Sequence, residues 1–116
     1  MQRDDNVYLG HMLDTARKAR SRVEGKSRSD YDDDEDLRIV VAHLVQTIGE
    51  AAARVSASMR QAHPEIPWKQ ITGIRHRIVH DYMDTDYDVL WEVAVRDLPD
   101  LIRTLEPMVP PEGGEQ

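Results

Sequence analysis

Between residues 73 and 82 the chain reads GIRHRIVHDY, which sets two arginines, two histidines, an aspartate and a tyrosine around three branched apolar residues. Imidazoles move protons near neutral pH and guanidiniums hold anions, so the segment carries the means for both. Its spacing limits how they can be combined. Arg75 and His80 are five residues apart, about 500° of rotation, so on one regular helix they point roughly 140° away from each other. Either the helix ends near Val79 and turns His80 back, or each side chain meets groups from elsewhere, such as a second copy of the chain. His76 and His80, four apart, share a helical face with the spacing of a two-histidine metal pair. The glutamate of a zinc-protease motif is missing and no third ligand is evident, so no metal is expected. The plain alternative is a solvated helix end.

The elements that position this segment must come from a chain of 116 residues, the size of one domain. A single helical domain is expected over residues 1–108, with 109–116 as a flexible C-terminal tail. There is no Phe, so the core is aliphatic, with Trp68, Trp91 and a few tyrosines as its large pieces. The absence of Cys excludes disulfides, thiolate metal sites and a thiol nucleophile. The opening MQRDDNVYLG lacks an apolar signal core, and no run approaches the ~20 apolar residues of a membrane span, which makes a cytoplasmic protein the expectation. The net charge of −7 is unevenly spread. Residues 54–80 hold five basic side chains against Glu65 alone, while 81–116 hold two basic against ten acidic. A local cationic island of this kind can hold an anion inside an acidic protein.

Apolar residues at 9, 12, 13, 16, 19 and 23 follow a helical rhythm, predicting a first helix from Asp4 or Asp5 to Val23. EGKSRSDYDDDED reads as a loop. Its acidic run fails as a calcium loop, because Glu35 replaces the required glycine and Val41 the bidentate glutamate. A long second helix is expected from Glu35 to Gln61, with Gly49 in its middle permitting close approach by another backbone. HPEIPW ends it. A third helix begins at Pro67 and turns Trp68, Ile71, Ile74 and Ile78 inward. Thr85 with Asp88 resembles a capping box for a fourth helix through Leu98, and Pro99 bends or restarts the chain as a short fifth. No segment alternates with period two for long enough to predict a strand. The expected fold is all-α, an up-and-down bundle of four to five helices.

Read as Arg75, four residues, His80, one residue and Tyr82, GIRHRIVHDY resembles the R-x4-H-x-Y signature of HepT-like proteins, within the HEPN superfamily of helical ribonucleases. TIGEAAARVS (47–56), PEIPWKQITGIRHRIVHDY (64–82) and DYDVLWEVAVRDLPDLIRTL (86–105) resemble further blocks of that family in the same order, so the likeness covers roughly residues 7–106. One departure is His76, where the family commonly has Asn.

The resemblance implies a metal-independent endoribonuclease whose active site lies in the cleft of a homodimer. On that basis His80 is the general acid and base, Arg75 holds the phosphate, and His76, Arg77 and Lys69 are candidates for holding or orienting RNA. The family also implies a type VII toxin–antitoxin pair, in which an MntA-type nucleotidyltransferase antitoxin silences the toxin by attaching AMP to Tyr82. Glu50, in the GEAA segment, is either near the cleft or an ordinary surface acid. A second reading, supported by the charge of −7, is a non-catalytic dimer that binds a nucleotidyltransferase or a nucleotide.

Overall fold

The computed structural model describes residues 4–81 and 84–110, with the backbone alone at Asp81. Tyr82, the expected AMP acceptor, lies outside the described residues, as do 111–116 of the expected tail.

Helix α1, Asp5–Val23, begins where the Asp4 carboxylate accepts the Asn6 N–H at 2.9 Å, satisfying one of the donors that a helix start leaves free. It buries Leu9, Met12, Leu13, Ala16, Ala19 and Val23, the expected stripe. That stripe packs chiefly on α3, Glu35–Ala53, and on α8, Leu98–Leu105. The core they enclose is apolar throughout the described residues, and every buried side-chain nitrogen or oxygen there has a hydrogen-bond partner. Each fully buried Leu, Ile or Met adds on the order of 1.5–3 kcal/mol to stability.

The structure departs from the sequence expectation in several elements. The acidic loop contains a short helix, α2, Arg28–Asp32, begun by a capping box between Ser27 and Asp30. Its Tyr31 is fully buried, lies 4.8 Å from the Trp91 ring and donates its hydroxyl to the Tyr87 carbonyl at 2.8 Å. The long second helix stops at Ala53, and Ser56 caps a separate α4, Ala57–Ala62. Asp5, from the far end of the chain, accepts the Ser56 N–H at 2.9 Å and its hydroxyl at 2.7 Å, which fixes the break. Those bonds hold the Asp5 carboxyl below its ordinary range.

The third helix is two short ones, α5, Trp68–Thr72, and α6, Ile74–Ile78, divided at Gly73. A two-stranded antiparallel hairpin then follows, β1, Val79–Asp81, and β2, Asp84–Thr85, in place of an uninterrupted all-α path. Helix α7, Tyr87–Glu92, is capped by Asp86 rather than Thr85. It runs into α8 through a π-helical turn, Val93–Asp97, and Pro99 is accommodated in the first turn of α8 without a break. The molecule is therefore predominantly helical, with one small hairpin. Val109, at the start of the expected tail, packs partly against the core beside Gly10.

Gly49 answers to its expectation. A Cβ there would stand 2.8 Å from the Ile71 carbonyl oxygen and 2.9 Å from Ile74 Cγ2. The missing side chain is what lets α5 and α6 lie directly on α3. Gly49→Ala should therefore lower stability by about 1–3 kcal/mol through overpacking. Gly10→Ala, where the nearest atom would be 3.9 Å away, should match or exceed the wild type by up to about 1 kcal/mol through helix propensity. Urea denaturation of the two variants checks the contrast.

Candidate active site

Ile74 and Ile78, one helical turn apart, are buried and anchor α6 to the core. The three residues between them, Arg75, His76 and Arg77, are consequently turned outward and exposed. The helix then ends. Val79 is extended (φ −116°, ψ 108°) and its N–H donates to the Arg75 carbonyl. The regular helix thus ends before His80, and the roughly 140° that it would impose between Arg75 and His80 does not apply. The same ending removes the shared face of His76 and His80, since one is helical and the other lies in β1.

His80 is also special within the hairpin. Val79 pairs with Thr85 and Asp81 with Asp84, so β1 has one residue more than β2 between the pairs, and that residue is His80. A bulge of this kind re-aims a side chain and interrupts the ladder locally. The imidazole is about half exposed (51%), and its Nε2 lies 3.0 Å from Asp86 Oδ2. The other oxygen, Asp86 Oδ1, accepts the Val89 N–H at 3.0 Å and so caps α7. The Asp86 backbone N–H donates to the Ile78 carbonyl, at the last residue of α6. One residue thus ties the end of α6, the start of α7 and His80 together. Its carboxyl is held below the ordinary 3.8, first by the Val89 N–H and then by His80.

The remaining candidates are spread around this point. Lys69 is exposed on α5. Arg77 reaches Asp97 of the π-helical turn at 4.0 Å. Among the described residues, Arg75 and His76 have no acidic side chain paired with theirs. A cavity of about 270 Å³ lies between α3, the 65–74 segment and the last helices, with Ile48, Ile71, Ile74, Val93 and Leu101 in its wall. Of the candidate residues it meets only Arg77, so it is not a pocket around His80. Glu50 lines a separate groove of about 420 Å³ with Tyr8, His11 and Arg54, between α1 and α3. No group of three or more His, Asp or Glu side chains is arranged to hold a metal among the described residues. No helix there is long and apolar enough to cross a membrane.

Asp86 is the residue that sequence reasoning missed. It was hidden in the interrupting DTDYDV, yet an aspartate directly before an apolar helical pattern is itself an N-cap signal. Because the folded state keeps this carboxyl ionised to lower pH than the unfolded chain does, its stabilisation is present above 3.8 and fades as pH falls through the lowered value. Asp86→Ala should therefore be less stable than the wild type at neutral pH, and the gap should close on acidification. Denaturation midpoints followed from neutral pH into the carboxylate range test this.

A family model described as "Ribonuclease HepT-like" matches residues 12–108. The chain is 30% identical to the protein named Putative RNase TTE0752 of Caldanaerobacter subterraneus subsp. tengcongensis, over 90% of this chain and 94% of that one. It is 26% identical to Putative RNase MJ1380 of Methanocaldococcus jannaschii (90% and 96% covered). It is 27% identical to Probable ribonuclease HepT of Thermococcus cleftensis (87% and 92% covered). No solved structure matches the chain. With the matched span taking in both the α6–β1 segment and Asp86, the chain belongs to the HepT-like ribonuclease family.

Proposed function

We propose that this protein is a metal-independent endoribonuclease that works as a homodimer, with His80 and Arg75 of each copy facing one cleft. The observation that carries the reading is the α6–β1 junction. It presents an exposed guanidinium and a bulge-borne, carboxylate-held imidazole on one short stretch of chain.

RNA supplies its own nucleophile, so the protein needs only to move two protons and neutralise charge on phosphorus. One imidazole accepts the 2′-hydroxyl proton as the 2′-oxygen bonds to phosphorus. The bond from phosphorus to the 5′-oxygen breaks, and a second imidazole, in its protonated form, gives that oxygen a proton. The products are a 2′,3′-cyclic phosphate and a free 5′-hydroxyl. Arg75 offers N–H donors to the phosphoryl oxygens while negative charge gathers there. Two copies of the chain supply the two imidazoles. His76, Arg77 and Lys69, all exposed, extend the cationic surface for the RNA strand.

The same reading makes the protein the toxin of a type VII toxin–antitoxin pair, silenced by AMP on Tyr82 from an MntA-type nucleotidyltransferase. A bulky anion two residues from His80 would fill the cleft and repel the RNA backbone.

His80→Ala and Arg75→Ala should each reduce RNA cleavage by about 10²–10⁴-fold. Thermal stability should change little for Arg75→Ala, because its side chain is exposed. Cleavage should survive EDTA and fail when the 2′-hydroxyl at the cut is replaced by hydrogen. Undiminished cleavage by His80→Ala would reject the assigned chemistry. Incubation with the nucleotidyltransferase and ATP should add whole AMP units at Tyr82 and abolish cleavage. A stable complex with neither mass gain nor any nuclease activity to lose would favour the non-catalytic dimer instead.

A further inference from the structure

We propose that Asp86 is a positioning residue that fixes His80 as the Nε2–H tautomer and thereby makes Nδ1 the nitrogen that meets the substrate. The proposal rests on the ribonuclease reading for its catalytic meaning, but the tautomer itself follows from the contacts alone.

An ionised carboxylate can only accept hydrogen bonds. Asp86 Oδ2 lies 3.0 Å from His80 Nε2, so in the neutral imidazole that nitrogen carries the hydrogen and Nδ1 keeps the lone pair. The carboxylate cannot turn away to relax this choice. Its Oδ1 is committed to the Val89 N–H at 3.0 Å, and its own backbone N–H to the Ile78 carbonyl. Three fixed points hold the group, and the side chain is only 26% exposed. The other histidine–carboxylate pair among the described residues shows the difference. His63 meets Glu65 at 3.2 Å through Nδ1, but Glu65 is 54% exposed on a longer stem. The lowered Asp86 carboxyl is in keeping with an acceptor that stays charged.

The chemistry requires two acceptor oxygens at residue 86. In Asp86→Asn there is one. If the amide oxygen continues to cap α7, the amide NH₂ is left facing Nε2 as a donor, and the imidazole must move its hydrogen to Nδ1. Asn is as good a helix cap as Asp, so the fold should survive. A catalytic base whose lone pair has moved to the wrong nitrogen loses most of its rate, as in other imidazoles oriented by a carboxylate.

The experiment is long-range ¹H–¹⁵N spectroscopy of uniformly ¹⁵N-labelled wild type, Asp86→Asn and His80→Ala, the last assigning the His80 signals, at a pH above the imidazole range. RNA cleavage and melting temperature are measured on the wild type and Asp86→Asn. The wild type should show the Nε2–H pattern at His80. Asp86→Asn should show the Nδ1–H pattern, with the Val89 amide resonance and melting temperature near wild type and cleavage at least about 100-fold slower. An Nδ1–H pattern in the wild type, or no change in Asp86→Asn, overturns the tautomer assignment. A switched tautomer with wild-type cleavage overturns the positioning role while leaving the ribonuclease reading intact. A wild type that cuts no RNA overturns that reading and the catalytic role with it, and the spectra still decide the tautomer.

Discussion

A carboxylate has two oxygens, and at Asp86 each has a different task. One caps α7 through Val89 and the other holds His80, while the backbone N–H of the same residue binds the end of α6. The junction of two helices and a hairpin is therefore built around a single side chain. Nothing else among the described residues contacts all three pieces at once through hydrogen bonds. The position of the imidazole is consequently tied to helix formation: where α7 begins, His80 is held, and an unravelled first turn of α7 would release it. Folding energy and site geometry are joined here instead of being supplied by separate residues.

The arginine depends on a different constraint, which is close packing. Gly49 brings the Ile71 carbonyl and Ile74 onto α3, and Ile74 with Ile78 holds the inner face of α6 in the core. Arg75, His76 and Arg77 project outward because their neighbours on either side are buried. The cationic surface is thus a by-product of two isoleucines and one glycine. Among the described residues, the acids of the last third of the chain leave Arg75 and His76 without an ion pair, while Asp97 meets Arg77.

Much of this was legible in the sequence where one face of a long helix is buried. The α1 stripe was read residue by residue because six apolar positions repeat without interruption. The break after Ala53 was not, because Val55 and Met59 keep the phase of the preceding helix and the residue that fixes the break, Asp5, is 51 positions away. Helix α2 escaped because it has one apolar side chain, Tyr31, whose burial depends on Trp91 and Tyr87 across the fold. A hairpin of three and two residues is too short for alternation to register, all the more with a bulge in it. Within the candidate site, the motif is what puts Arg75 and His80 forward. The cap of α7 is expected one position early, at Thr85, since both residues are acceptable caps and only the Val89 N–H that Asp86 accepts separates them.

The π-helical turn has an implication for how such a molecule changes over generations. Its Leu98 N–H reaches back to the Val93 carbonyl, one residue further than an α-helix allows. Leu90, Val93 and Ala94 before it, and Leu98, Leu101 and Leu105 after it, all remain buried. The widened turn therefore behaves as a local reservoir of chain length. Insertions or deletions there can rotate the lateral group offered to Arg77 while both ends of the helix stay seated, so the surroundings of the cationic face can diversify among descendants without the bundle being rebuilt.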